Sequence, residues 1–351
     1  MINPSVIRKI YAKFQDGRSK DVFEHRLLYS LTGDFNFILK MTNIYENNND
    51  IVTSIKSHNK EKPTILYGAG LLGKEISSLF PKVYFMCICD SAEDKWGIKL
   101  NGYTIISPND MYKIYDDNNI LICIIDETVA NVVKETLIKH GVPNKRIIIY
   151  SNFQYKKSEP LYFPRDINIP WNEKEVFIDA GCYNFQTSFD FIRNMKGKYK
   201  KIAAFEPNPE QYEICVEKAR GIKNATVYEC GLWNKSTILN FSSSKDKPMS
   251  SHFTDNNKET NIKIKAVKLD DILNGEEATF IKMDIEGAEL NALKGAVQTI
   301  LRYKPKLAIC LYHKPEDIWE IPEYIINLRD DYKIYMRHHS VTNIDTVLYA
   351  V

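Results

Sequence analysis

Two short apolar strands in this chain run straight into a glycine turn and out into a helix. The first is TILY (64–67), followed by Gly68-Ala69-Gly70-Leu71-Leu72-Gly73 and KEISSLF. The second is EVFID (175–179), followed by Ala180-Gly181. Strands that turn on glycine into helices build parallel sheets covered on both faces. The other apolar runs fit that plan: VYFMCICD (83–90), ILICIID (120–126), RIIIY (146–150), KKIAAFEP (200–207), NATVYECGL (224–232), ATFIKMDIEG (278–287) and KLAICLYH (306–313). We expect an α/β protein of two Rossmann-like doubly wound units. The last two strands, in 331–340 and 345–351, are too close together for a crossover and must form an antiparallel hairpin.

The expected division is a helical N-terminal segment (1–60), a small GxGxxG domain (61–155), a linker (156–173) and a larger domain (174–351). The first segment carries Val22, Phe23, Leu27, Leu28 and Leu31 at helical spacing. YENNND (45–50) reads as a turn. The linker lacks either period and is rich in proline. Residues 235–267 read as an antiparallel excursion, ILNF and IKIKAV flanking a Ser-rich loop (242–251).

Lys+Arg of 47 against Asp+Glu of 45 leaves a net charge of +2, which gives no footprint for nucleic acid or an anionic surface. No apolar run reaches the roughly 18–20 residues of a membrane span, and the N-terminus shows no secretory signal. The 7 cysteines include no CxxC and sit mostly in apolar strands, as reduced thiols of a cytoplasmic protein do. Neither a nucleic-acid partner nor a membrane span is therefore expected. A homo-oligomer is compatible with the sequence.

In the first turn, Gly68, Gly70 and Gly73 have GxGxxG spacing between a strand and a helix, and Asp90 follows 22 residues after Gly68. Such glycines let backbone N–H groups approach a phosphate at a helix N-terminus, and the acid suits a ribose. A nucleotide or nucleotide-sugar in this domain is one reading. A structural turn without a ligand and an NAD(P) site are the others. The wording resembles the nucleotide-binding units of bacterial sugar-modifying enzymes.

In the second turn, Asp179 ends its strand and Gly181 allows close backbone approach. Glu206, in Phe205-Glu206-Pro207-Asn208, lies 27 residues after Asp179, where a carboxylate accepts both hydroxyls of a ribose. Glu229 ends the third strand. Where a second glycine is often found, this chain has Phe185, whose ring is expected to narrow a cofactor mouth. Asp284 and Glu286, two apart on extended chain, share a face at the edge where open α/β sheets bind ligands, and Glu286 begins a helix. His313 ends the next strand and suits a general base. Arg337, His338 and His339 are placed to line an acceptor pocket. Asp284, Glu286 and His313 also have acceptable chemistry for a divalent metal, but we assign no metal ligands on sequence alone.

VFIDAG, FEPNP, GLWN, LDDIL and IKMDIEGAEL…LKGA, in that order, resemble the FkbM family of methyltransferases across about 174–351. The resemblance implies S-adenosyl-L-methionine (SAM) as cofactor and O-methylation of a small-molecule acceptor, often a sugar or polyketide hydroxyl. It places Asp179, Gly181 and Glu206 at the cofactor and Asp284 and Glu286 at the family's hallmark site. From their places in the sequence, Tyr183, Asn208 and Glu229 are further expected cofactor-binding residues, and His313, Asp284 and Glu286 the expected catalytic ones. With the GxGxxG turn and Asp90, the expected acceptor is a sugar or nucleotide-sugar-linked hydroxyl. The alternatives are a binding or scaffolding protein with a decayed SAM site, and an NAD(P)-dependent oxidoreductase.

Overall fold

Strands buried on both faces need helices above and below, and that requirement organises both halves of the chain. The computed structural model describes residues 3–43, 63–79, 85–150, 161–244, 247–253, 261–340 and 343–351. The turn expected at 45–50 and the start of the expected linker lie outside them. The chain divides into two compact units, Asp34–Lys157 and a second made of Met1–Gly33 with Ser158–Val351.

In the Asp34–Lys157 unit, β1 (Thr64–Tyr67), β2 (Phe85–Cys89), β4 (Tyr103–Ile106), β5 (Ile120–Ile122) and β6 (Ile147–Ile149) are parallel, and β3 (Lys99–Leu100) pairs antiparallel with β4. Their order is β3-β4-β2-β1-β5-β6. Helices start where a side chain caps them: Ser107 for Pro108–Ile114 and Asp126 for Glu127–Lys139.

In the other unit, β7 (Val176–Ala180), β8 (Lys201–Phe205), β9 (Ala225–Tyr228), β14 (Phe280–Met283), β15 (Lys306–Cys310), β16 (Ile334–His338) and β17 (Thr346–Ala350) form one sheet, ordered β16-β17-β15-β14-β7-β8-β9. All are parallel except β17, which runs antiparallel to both β15 and β16. The expected hairpin is β16–β17. The strand order reverses beside β7, where β14 and β8 flank it, so the crevice beyond their C-terminal ends is the switch point of the sheet. A second sheet, β10-β13-β11-β12, contains β10 (Gly231–Leu232), β11 (Thr237–Ser244), β12 (Lys247–Phe253) and β13 (Asn261–Val267). The Ser-rich stretch read as a loop belongs instead to β11 and the edge strand β12.

Two boundaries differ from the sequence reading. The N-terminal helices Pro4–Lys13 and Gly17–Thr32 belong with residues 158–351. Ser19, Val22, Phe23 and Arg26 form the buried face of the second, while Leu28 and Leu31 face out. The contact is fixed by Arg337, which is 1% exposed. Its guanidinium donates to Asp16 and to Asp166, each at 2.7 Å, and to Ser19 Oγ at 2.8 Å. Arg337 is therefore a structural clamp, not a pocket wall. Likewise, His338 is buried against Thr346, and His339 against the Tyr349 hydroxyl. Burial lowers the pKa of His339 to about 3, so it stays neutral.

The second boundary is the linker. Its described part is core: Tyr162, Phe163, Ile167 and Ile169 are buried, and the Phe163 ring lies 5.7 Å from that of Phe280 on β14. The segment lacks a period because it packs as an irregular arm whose aromatic side chains cover the sheet. Among the described residues, no helix is long and apolar enough to cross a membrane.

The Arg337 clamp sets a test. Arg337→Met leaves Asp16 without its cation, while Asp166 keeps Arg18 at 2.7 Å, and should lower the unfolding free energy by about 3 kcal/mol in urea titration. Adding Asp16→Asn should recover part of that loss, and additive losses would show that the pair does not hold the helices.

Candidate active site

The C-terminal edge of β7 and β14 holds a buried charge pair. Lys282, on β14, is 1% exposed, and its Nζ lies 3.2 Å from Asp179 Oδ1. The ammonium also donates to the carbonyls of Ala180 and Gly181 at 3.1 and 2.7 Å, and it sits 5.1 Å from the centre of the Tyr162 ring. Burial works against this charge, but Asp179 and Asp284 hold its pKa above the ordinary lysine value. The other oxygen of Asp179 accepts from Ser188 Oγ at 2.7 Å. Asp179 thus faces inward and fixes the turn.

That turn is closed to any side chain at Gly181. Its φ is +77°, and an added Cβ would lie 1.9 Å from the Asp284 carbonyl oxygen. Phe185, at φ +64°, adopts the left-handed conformation that glycine usually supplies. Its ring is fully buried and edge-on to Phe189. The expectation that Phe185 narrows the opening is therefore overturned, because the ring points into the core.

Glu206 follows β8 and is nearly buried. Oε2 accepts the Tyr183 N–H at 2.9 Å, and Oε1 accepts the Asn208 N–H at 3.0 Å. Each oxygen keeps a second lone pair. Burial pushes the Glu206 pKa up to about 7 against the pull of those two N–H groups and Lys282. Asn208 is committed elsewhere: its side chain caps the helix Pro209–Ala219 through the N–H groups of Glu210 and Gln211. Tyr183 is exposed, and Glu229 is exposed after β9.

Beyond β14 the chain leaves the extended conformation. Glu286 has φ +56° and Gly287 φ +88°, so Asp284 and Glu286 do not share a strand face. They meet at His313 instead. Its Nε2 lies 3.4 Å from Asp284 Oδ1 and 3.6 Å from Glu286 Oε2. The helix begins at Glu289 rather than Glu286, and Glu289 is completely buried with Oε1 2.9 Å from His313 Nδ1 and accepting the Ile285 N–H at 2.8 Å. Asp284 accepts the hydroxyls of Tyr162 at 2.7 Å and Tyr312 at 2.8 Å. Burial raises its pKa, but Lys282, His313 and the two hydroxyls bring it below the ordinary value. Burial disfavours a charged His313, yet Glu289, Asp284 and Glu286 raise it to about 9. A ring kept protonated at neutral pH is a poor proton acceptor, which counts against His313 as the base.

Sequence reasoning missed Lys282, Tyr162, Tyr312 and Glu289. The one legible signal was Glu289, three residues beyond Glu286 in the string DIEGAEL.

In the first turn, Gly68 has φ +113°, and a Cβ on Gly73 would lie 1.9 Å from the Gly68 carbonyl oxygen, whereas Gly70 faces open space. Asp90 accepts the N–H groups of Ala69 at 2.6 Å and Ala92 at 2.8 Å and pairs with Lys95 at 3.1 Å. Two of the three glycines are thus required by the turn itself.

Residues 179–338 match the family model described as the Methyltransferase FkbM domain, and residues 59–148 match one described as C2185-like, N-terminal. Among solved structures, the FkbM methyltransferase from Methylobacillus flagellatus KT aligns with 92% of this chain and 100% of its own, at 18% identity and TM-score 0.53, which shows a shared fold. Aeropyrum pernix fibrillarin, solved with natively bound S-adenosyl-L-methionine, aligns with 52% of this chain and 70% of its own, at 11% identity and TM-score 0.32, too loosely to carry an argument. Among curated proteins none matches the chain.

The Lys282–Asp179 pair is testable by a double-mutant cycle. Lys282→Met leaves a buried carboxylate unpaired and should cost about 3–5 kcal/mol in chemical unfolding. Lys282→Met with Asp179→Asn should be less destabilised than the lysine variant alone. The opposite order would mean that the charges are independent.

Proposed function

With residues 179–338 a methyltransferase domain of the FkbM family, we propose that the chain transfers a methyl group from SAM to a hydroxyl oxygen of a carbohydrate or nucleotide-sugar acceptor. The observation that carries the cofactor is Glu206. It is a nearly buried carboxylate at the switch point, held by two backbone N–H groups with a lone pair left on each oxygen. Those two acceptor oxygens suit the paired hydroxyls of a ribose, which donate to them. SAM, when bound there, supplies a methyl group on a sulfonium whose sulfur leaves as a neutral thioether.

The chain's own residues supply alignment and proton handling. Lys282 and Asp179 keep the Gly181 turn in one position. Rigid placement of the cofactor against the acceptor oxygen is the main source of rate in a displacement of this kind. Asp284 and Glu286 converge on the same edge and accept hydrogen bonds from an acceptor hydroxyl, which favours a substrate with several hydroxyl groups. As the oxygen–carbon bond forms and the sulfur–carbon bond breaks, the hydroxyl proton passes to this carboxylate group. Asp284 is oriented for that by Tyr162 and Tyr312. The supports for a carbohydrate acceptor are this carboxylate-lined edge and the resemblance of the motifs.

Calorimetric titration with S-adenosylhomocysteine tests the cofactor site. Glu206→Ala should weaken binding by at least about 100-fold, two charge-assisted hydrogen bonds of roughly 1.5–3 kcal/mol each being lost. A hydroxyl pair is held by the carboxylate and not by the acid. Since the Glu206 pKa is raised to about 7, affinity should be flat above pH 7 and fall about tenfold per pH unit below it. Glu206→Gln should abolish that slope. No binding by the wild type at millimolar concentration would refute the reading. A screen of sugars and nucleotide sugars for methyl uptake would then define the acceptor, with Asp284→Asn expected to bind cofactor but lose turnover.

A further inference from the structure

Four ionisable groups, Asp284, Glu286, Glu289 and His313, crowd the edge beyond β14 and β15. Asp284, Glu289 and His313 each offer a ligand atom, and these atoms lie within 4.8 Å of each other. The His313 side chain is 9% exposed and that of Glu289 is 0% exposed. Glu289 Oε1 takes the Ile285 N–H, while its buried Oε2 makes no hydrogen bond. Neither ring nitrogen of His313 makes an aligned hydrogen bond, although carboxylate oxygens stand 2.9, 3.4 and 3.6 Å away.

The ring nitrogens of His313 stand close to carboxylate oxygens but off the line of a hydrogen bond, and a buried Glu289 oxygen has no donor. A cation that displaces the ring proton would be shared among these atoms, since an imidazole binds metal only when deprotonated. The local charge points the same way: three carboxylates surround one imidazole.

We propose that Asp284, Glu289 and His313 hold a divalent metal cation, with Glu286 at the rim as a further oxygen donor. One imidazole nitrogen with two or three carboxylate oxygens suits a first-row ion such as manganese, iron or zinc better than magnesium or calcium, whose ligands are oxygens alone. Metal–ligand bonds of about 2.0–2.2 Å place neighbouring donors about 3 Å apart, so small side-chain movements complete the site. Tyr162 and Tyr312 orient Asp284 from outside, as outer partners of metal ligands do. The site's use rests on the methyl-transfer reading: a hydroxyl bound to the cation loses its proton more readily. The proton would then leave to Glu286 or water, and His313 would act as ligand rather than base.

The test is Mn2+ binding to the full chain, free of added chelator, followed by electron paramagnetic resonance and calorimetry. The expected result is one saturable site per chain. His313→Ala should weaken it at least tenfold to 100-fold, and Glu289→Gln and Asp284→Asn should weaken it comparably. The two conservative variants keep the test valid if removal of the imidazole unfolds the protein, which thermal melting reports. Zn2+ should displace Mn2+, and Mg2+ should do so only weakly. Absence of saturable Mn2+ binding to millimolar concentration, or binding unchanged in the folded variants, overturns the proposal. S-adenosylhomocysteine titrated in parallel separates the two readings. Cofactor binding without manganese removes only the cation, and manganese binding without cofactor removes only the methyl-transfer reading.

Discussion

A single buried ammonium ties the two central strands of the larger unit together. Lys282 leaves β14, passes under the Tyr162 ring and ends among Asp179 and the carbonyls of Ala180 and Gly181. Desolvating a lysine is expensive, and the expense is offset only because carboxylate and carbonyl partners surround it. The contact also fixes the geometry outward. With the Gly181 turn drawn against the Asp284 carbonyl, the end of β7 and the end of β14 become one rigid ledge. Asp284, Glu206 and the loop at Tyr183 take their positions from that ledge. Rigidity of this kind is what a reaction dominated by alignment needs.

The two units solve the strand–turn–helix problem with the same device. After β2, Asp90 accepts one N–H from the preceding glycine turn, at Ala69, and one from two residues on, at Ala92. After β8, Glu206 accepts one from the preceding turn, at Tyr183, and one from two residues on, at Asn208. An acid at the second strand end is therefore a latch for the turn before it is anything for a ligand. The difference lies in what else it meets. Asp90 is neutralised by Lys95, whereas Glu206 is buried without a directly paired cation, and that leaves its carboxylate the more demanding of further donors.

Much of this was legible in the sequence because the relevant physics is local. A continuous apolar strand, a glycine at a turn and an acid at a strand end are each visible within a few residues, and β7, β8, β14, Gly181, Glu206 and Asp284 followed. What was not legible depends on distant packing. Lys282 is one polar letter inside an apolar strand and reads as a surface residue. Tyr162 lies in a segment without a period, so its place against Asp284, 122 residues later, has no local sign. Arg337 beside two histidines reads as a pocket lining, but its partners Asp16 and Ser19 are more than 300 residues away. Phe185 misled for the converse reason. Its backbone conformation is the one expected of glycine, while the direction of its ring is set by the core.

The carboxylate group around His313 shows how placement and chemistry constrain each other. Glu286 sits in left-handed backbone, a conformation that costs on the order of 1–3 kcal/mol for a residue with a side chain. An asparagine or glycine would adopt it more cheaply, so the fold retains a glutamate there against local preference. Glu289 is completely buried, and its compensating charge is the His313 ring, 2.9 Å away. A core optimised only for stability would replace such a group with apolar residues. Charge held at a sheet edge under strain and desolvation costs the fold stability, and at Glu286 and Glu289 that cost is concentrated beside β14 and β15.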